Sequence, residues 1–426
     1  MGLSSRPGAA DSGRAARYTC GMPQVTAGLD IGAVQAALAA DGLDGWLLYD
    51  FHGLNPIASE VAGVGRGGGQ LATRRWYYLV PAVGEPRGLV HAIERHALDH
   101  LPGATVRYAG RDELDAGLRE LLRGVHRVAM EYSPLCAIPY IARVDAGTVE
   151  LIRQFGVEVV SSGDLVQRFA TVWDEAAIDT HRRASEALYR IKDRAFEAVG
   201  ARLRAGTPTT EYDIQQVMAG WFRDEGLVSD SPPIVAAAEN AGNPHYMPAA
   251  AAHRVIRPGE LVLLDLWGKL DRPGAVFADI TWVGYTGAQP PERYERAFAT
   301  VAAARDAAVS LVQHAAAAGA GSAGIEGLRG WQVDRAASSV LRSAGYGDHV
   351  LHRTGHSLGE SVHGNGVNMD DYETHDDRRL LAGTGFTIEP GLYFDDFGVR
   401  SEINMVVRDG SAAVTGPRQI TIVALA

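Results

Sequence analysis

Cysteine is almost absent from this chain: Cys20 and Cys136 are the only two in 426 residues. No disulfide framework can be built from them, and such usage fits a protein kept in a reducing cytoplasm. Basic residues are in the minority. Forty Lys and Arg against 51 Asp and Glu leave a net charge of −11. That balance speaks against a nucleic-acid partner, whose binders carry a basic face, and against docking on anionic membranes. No apolar run approaches the roughly 18 residues that a spanning helix needs. Residues 1–22 are small, polar and slightly basic, and lack the apolar core of about 7–15 residues that a secretory signal requires. They are expected to form a disordered tail, with Met22 a candidate start.

What the chain does have is an ordinary apolar content of 46 % and length enough for two domains. Apolar stretches at 45–49, 74–82, 87–93, 104–110 and 127–133 alternate with helical patterns, which predicts an α/β domain over 23–169. The glycine-rich run at 61–70 is followed by no Lys-Ser/Thr and has no strand-to-helix frame. A loop is expected there, and not a phosphate cradle. An α+β domain is expected over 173–426. It opens with a helix capped by Asp174 and running to about Leu203, followed by a helix within 206–226 capped by Thr209 or Thr210. Later helices are expected at about 291–317 and 327–344, with strands dominating from Val350 onward.

Within this second region a strand pair occurs twice. The first copy reads Gly259-Glu-Leu-Val-Leu-Leu-Asp265 and continues with Asp279-Ile-Thr-Trp-Val. The second reads Gly383-Thr-Gly-Phe-Thr-Ile-Glu389 and continues with Glu402-Ile-Asn-Met-Val. The two acids are 14 residues apart in the first copy and 13 in the second. The helices before them also echo each other, as YDIQQVMAGWFRDEG and WQVDRAASSVLRSAG. Four carboxylates on strands of one core repel one another and lose hydration unless cations neutralise them. Solvated strand-end acids, each paired with an arginine, would explain one such residue but account poorly for four at matched positions. A pair of divalent cations is implied instead, and hard oxygen donors suit Mn, Co, Fe, Zn or Mg. Between the pairs lies LHRTGHSLGESVHGNG (351–366), with His352, His356 and His363. His245 lies upstream in ENAGNPHYMP (239–248). Histidine adds nitrogen ligands and moves protons near neutral pH.

Taken together, the two aspartates, the GHSLG histidine, the IEPG glutamate and the RSE glutamate resemble the pita-bread metallopeptidases. That family includes methionine aminopeptidase, aminopeptidase P and prolidase. The likeness spans 173–426, and the upstream region is similar to the N-terminal domain of the Xaa-Pro branch, which includes creatinase. The resemblance implies an α/β N-terminal domain and an α+β pita-bread domain with an internal pseudo-two-fold repeat. It implies two divalent metal ions per chain, manganese foremost, with cobalt, zinc or iron accepted by the same set. Asp265, Asp279, His356, Glu389 and Glu402 would hold them, with Asp279 and Glu402 bridging. Glu389 would be the general base, and His245 and His363 would act beside the substrate. His352 and Arg400 would contact substrate. The implied activity is cleavage of the bond before proline in small peptides, by a cytoplasmic homodimer.

The sequence departs from the family pattern after each aspartate of the first copy, at Leu266-Trp267-Gly268 and at Trp282. These changes leave the ligand set intact and keep open a second reading, a metal-dependent hydrolase or lyase of a small non-peptide substrate on the same fold. A catalytically dead binding module is disfavoured by the intact ligands.

Overall fold

The computed structural model describes residues 29–65, 72–319 and 324–425. The tail expected over 1–22 lies outside the described residues, as does 66–70 of the glycine-rich run. Its first residues, 61 and 62, close the helix Pro56–Ala62, which Gly63 ends in the left-handed conformation at φ +66°.

Six strands form the first sheet: β1 (Gly45–Asp50), β2 (Trp76–Pro81), β3 (Arg87–His91), β4 (Ala104–Tyr108), β5 (Arg127–Met130) and β6 (Glu158–Ser161). Their order is β4-β3-β2-β1-β5-β6. The pairs β1–β2 and β2–β3 are antiparallel and the other three parallel. β1 is apolar almost throughout because both of its faces are covered. Trp46 and Leu48 pack with the helices Ile31–Ala40 and Pro56–Ala62, while Leu47 and Tyr49 pack with Arg111–Leu121 and Ala146–Arg153.

Eleven further strands follow: β7 (Leu227–Val228), β8 (Ile234–Ala237), β9 (Leu261–Leu270), β10 (Ala278–Tyr285), β11 (Ser357–Leu358), β12 (Gly385–Ile388), β13 (Gly391–Tyr393), β14 (Gly398–Arg400), β15 (Ile403–Arg408), β16 (Ser411–Val414) and β17 (Val423–Ala424). One sheet runs β17-β10-β9-β7 with β8 also on β9; another runs β11-β12-β15-β16; β13 pairs with β14. The 30-residue helix Glu175–Arg204 is capped by Asp174 as expected and covers the first of these sheets. The helix Glu292–Ala317 covers the second. The helices Glu211–Asp224 and Gly330–Ser343 are both 14 residues long. Thr210, not Thr209, caps the former, in a reciprocal capping box with Asp213. Among the described residues no helix is long and apolar enough to cross a membrane.

Strands do not dominate from Val350. Between there and Gly385 only the two-residue β11 forms. Carboxylates organise this segment instead. Asp370 accepts the N–H groups of Tyr372, Glu373 and Thr374, Asp376 accepts that of Asn368, and Asp334 accepts those of Thr354 and Asp371. Short acidic side chains that satisfy nearby backbone donors compete with a strand ladder.

Candidate metal centre

The repeated strand pairs become two antiparallel hairpins. In β9–β10, Asp265 lies opposite Thr281 and Trp267 opposite Asp279. Side chains alternate along a strand, so these four share one face. Val262, Leu264, Leu266, Ile280 and Trp282 take the other face and pack under the helix Glu175–Arg204. The second hairpin repeats the logic. Phe386, Ile388, Ile403, Met405 and Val407 are buried against the helix Glu292–Ala317, which leaves Thr387, Glu389, Glu402 and Asn404 on the opposite face.

The two polar faces meet. The Asn404 amide oxygen accepts the Asp279 N–H at 3.0 Å, and its NH2 donates to the Asp279 carbonyl. Two residues along, the Thr281 hydroxyl donates to Glu402 Oε2 at 2.7 Å. His356 is added by the loop before β11: its N–H donates to Thr387 Oγ1 at 2.9 Å. The Glu389 N–H donates to Thr354 O at 2.6 Å, which ties the end of β12 to the same loop.

The resulting cluster is short of positive charge. One donor atom from each of Asp279, His356 and Glu402 lies within 4.8 Å of the others. His356 Nδ1 lies 3.2 Å from the Ser357 carbonyl, so the neutral ring carries its proton there and presents a lone pair at Nε2. That nitrogen is 3.5 Å from Glu389 Oε1 and 3.6 Å from Asp279 Oδ2. Asp279 Oδ1 is buried with no hydrogen-bond partner. A lone pair facing two carboxylates, beside an orphaned buried oxygen, is what a bound cation resolves. One imidazole with several carboxylates suits a divalent metal.

The electrostatics agree. Burial pushes the Asp279 and Glu402 carboxyls well above the usual carboxylate range, and neighbouring carboxylates push them further. Burial also raises Asp265, against the opposing Arg400 guanidinium. Glu389 goes the other way. Burial raises it, but His356, His352 and Arg400 outweigh burial and hold it below the usual range. Arg400 is itself buried, pairing with Asp265 and donating from Nε to Thr281 Oγ1 at 2.9 Å and from Nη1 to Tyr393 OH at 3.2 Å.

All five expected metal ligands line one cavity of about 580 Å³, together with His245, His352, His363 and Arg400. His363 stands ring to ring with His356, centroids 4.4 Å apart. His352 Nε2 lies 2.6 Å from Tyr393 OH. His245 is an exposed residue on the wall. Its loop hangs from Glu211, a fully buried carboxylate. Glu211 accepts the N–H groups of Ala237 and Arg254 at 2.7 and 2.9 Å, the Asn240 amide at 3.0 Å and the Tyr246 hydroxyl at 2.5 Å. Glu211 has no signature in the sequence beyond its place in the first turn of a helix. Tyr140, Asp230, Trp267, Arg353 and Glu373 also line the cavity. Arg353 was not singled out from the sequence, although it adjoins His352. Neither was Tyr140, because it arrives from the first sheet's region, where its hydroxyl accepts from Arg353 Nη1 at 2.5 Å.

The two tryptophans part company. Trp267 reaches the cavity, but Trp282 does not. Strand parity turns Trp282 to the helix side, edge-on to Tyr189 and with the Lys192 ammonium 3.7 Å from its ring centre. Of the two departures from the family pattern, only that at Trp267 therefore bears on the cavity.

Comparison with known proteins fits this geometry. The probable dipeptidase PepE of Mycobacterium tuberculosis is 28 % identical over 355 residues, covering 81 % of this chain and 84 % of that protein. The Xaa-Pro dipeptidase of Lactobacillus helveticus is 31 % identical over 184 residues, 43 % of this chain and 44 % of that one. The crystal structure of dipeptidase PepE from Mycobacterium ulcerans shares the fold with a TM-score of 0.63 at 23 % identity, covering 93 % of this chain and 96 % of that one. The pattern of "Metallopeptidase family M24" matches residues 183–409, more than half of the sequence. On that match, the chain belongs to metallopeptidase family M24.

Proposed function

We propose that this metallopeptidase hydrolyses the bond before proline in small peptides, with two divalent metal ions per chain. The observation that carries the reading is the convergence of Asp279, His356 and Glu402, together with a buried Asp279 oxygen that has no hydrogen-bond partner. Asp265, Asp279, His356, Glu389 and Glu402 are the proposed ligands, with Asp279 and Glu402 shared between the ions. Manganese is the proposed metal, with cobalt, zinc or iron accepted. The proposed organisation is an α/β domain over 23–169 and a pita-bread domain over 173–426, whose hairpins are related by a pseudo-two-fold. A cytoplasmic homodimer completes the reading.

Ions bound there would supply concentrated positive charge, which polarises a carbonyl and acidifies a nearby water. The protein's own groups do the rest. Arg400 Nε lies 4.0 Å from Glu389 Oε2, and its positive charge favours the ionised carboxylate, which can then accept a proton from the attacking water. Arg400 and Thr281 keep Asp265 and Glu402 aimed at the cluster. His245 and His363 offer ring N–H groups to the carbonyl oxygen as it gains charge. His352, fixed by Tyr393, lies on the substrate wall with Arg353.

The test is a hydrolysis screen of purified, metal-loaded protein against Xaa-Pro dipeptides, Xaa-Pro tripeptides, creatine and betaine-like zwitterions. Turnover of the proline peptides is expected. Turnover confined to the non-peptides would overturn the reading. Metal analysis should find two ions per chain, and the double change Asp279→Ala with Glu402→Ala should remove them.

A further inference from the structure

Two side-chain amides line the edge of β10 that faces away from β9. Alternate residues of an antiparallel strand turn their N–H and C=O groups to the same edge. On this edge the Asn404 amide takes both backbone groups of Asp279. The Glu402 N–H donates to the Thr281 carbonyl at 3.2 Å. The Gln419 amide takes both backbone groups of Val283, accepting the N–H at 2.9 Å and donating to the carbonyl at 2.6 Å. The two amides thus flank the contact that joins Glu402 to β10. A buried cation stands behind this row. Arg305, on the helix Glu292–Ala317, is fully buried, more deeply than any other described arginine. Its Nη1 carries two hydrogens and uses both, on Ser401 Oγ at 2.6 Å and on the Gln419 carbonyl at 2.8 Å. Nε donates at 3.0 Å to Asp306, whose side chain is 44 % exposed, and Nη2 has no hydrogen-bond partner. Burying a guanidinium with one nitrogen unmet is unfavourable, and an apolar side chain on this buried helix face would avoid the penalty. What an apolar side chain could not do is tie Ser401 to Gln419. Ser401 is the residue before Glu402, and Gln419 grips β10 at Val283, four residues on from Asp279.

We propose that Arg305 is a positioning residue for the metal centre: by tying Ser401 to Gln419 through one nitrogen, it sets the spacing between Asp279 on β10 and Glu402 at the head of β15. The proposal rests on the two-metal reading of these ligands and is independent of which bond the enzyme cleaves. Ser401→Ala removes one of the two bonds with little change of shape. Arg305→Met removes both and keeps much of the side chain's length.

Binding of Mn²⁺ to the full-length, metal-stripped protein and to each variant would be measured by calorimetry, well below the melting temperature of each. Both variants are expected to bind Mn²⁺ about 10–100-fold more weakly than wild type, the scale seen when a group that orients a metal ligand is lost. Electron paramagnetic resonance of the Mn²⁺-saturated proteins gives a second readout, because the coupling between two bound ions reports their spacing. That coupling should change in Ser401→Ala. A residue that only packs the helix against the sheet would lower the melting temperature and leave both readouts as in wild type. That pattern in folded Ser401→Ala overturns the proposal, and Ser401→Ala decides the matter if Arg305→Met fails to fold. Failure of the two-metal reading looks different: wild-type protein that takes up no Mn²⁺, or a single ion, sinks that reading and the proposal with it.

Discussion

Thr281 donates its hydroxyl proton to Oε2 of Glu402 at 2.7 Å, and Glu402 returns its backbone N–H to the Thr281 carbonyl at 3.2 Å. The same hydroxyl accepts from Arg400 Nε at 2.9 Å. The hydroxyl is fully buried and its direction is set from both sides. Thr281→Val keeps the shape and removes both bonds. Loss of an outer partner of a metal ligand typically costs about 10–100-fold in metal affinity, and the same is expected here, read by metal titration. Unchanged affinity would show that Glu402 needs no such support.

Glu389→Gln should leave a folded protein with kcat reduced by about 10²–10⁴-fold from loss of the base alone. Kinetics on metal-replete protein check this. A wild-type kcat there would refute the assignment.

His245→Ala and His363→Ala should each lower kcat by roughly 10²–10³-fold, the usual consequence of losing one preorganised donor to an oxyanion. Metal content should not change. If the histidines only hold their loops, the variants will melt earlier yet turn over normally at low temperature, so metal content, melting temperature and Xaa-Pro hydrolysis measured together separate the two roles.

Glu211→Gln replaces an acceptor of four groups with a side chain that also donates. The loop carrying His245 should lose its anchor. A stability loss of about 1–3 kcal/mol is expected from the stranded donors, together with a fall in kcat/KM at unchanged metal content. Chemical denaturation and steady-state kinetics measure the two effects, and an activity equal to wild type at saturating stability would sever the link from Glu211 to His245.

His181 supplies a pH dependence remote from the cluster. It is fully buried, with Nδ1 2.8 Å from the Phe277 carbonyl and Nε2 2.8 Å from Thr415 Oγ1. Burial lowers its imidazole from 6.5 to about 4, against the opposing bond to Phe277. The folded protein therefore binds fewer protons than the unfolded chain between those values. The stability this contributes is complete above about 6.5 and is lost as pH falls toward 4, roughly 3 kcal/mol at most by linkage. Denaturation curves across that window should show a shallower acid loss for His181→Gln than for wild type. Parallel losses would mean that other groups carry the acid sensitivity.

Much of the site was legible in the chain itself. Side-chain alternation along a strand is a local property, so Asp265 and Asp279 share a face in the register in which β9 and β10 pair, and Glu389, just after β12, and Glu402, just before β15, do likewise. The same parity assigned Trp282 to the helix side, although its nearness in sequence to Asp279 suggested the pocket. The capping of the long helix by Asp174 was equally local. What only the tertiary structure decided is which distant segments meet. Tyr140 reaches Arg353 across 213 positions, Asp230 meets Trp267 across 37, and Glu211 gathers donors from as far as Arg254. The segment after Val350 became a carboxylate-tied loop because Asp334, Asp370 and Asp376 bond its backbone. No residue pattern announces such pairings, because they depend on how packed sheets and helices close long loops, and a single tyrosine, aspartate or glutamate looks the same in sequence whether it ends in solvent or at the centre of a site.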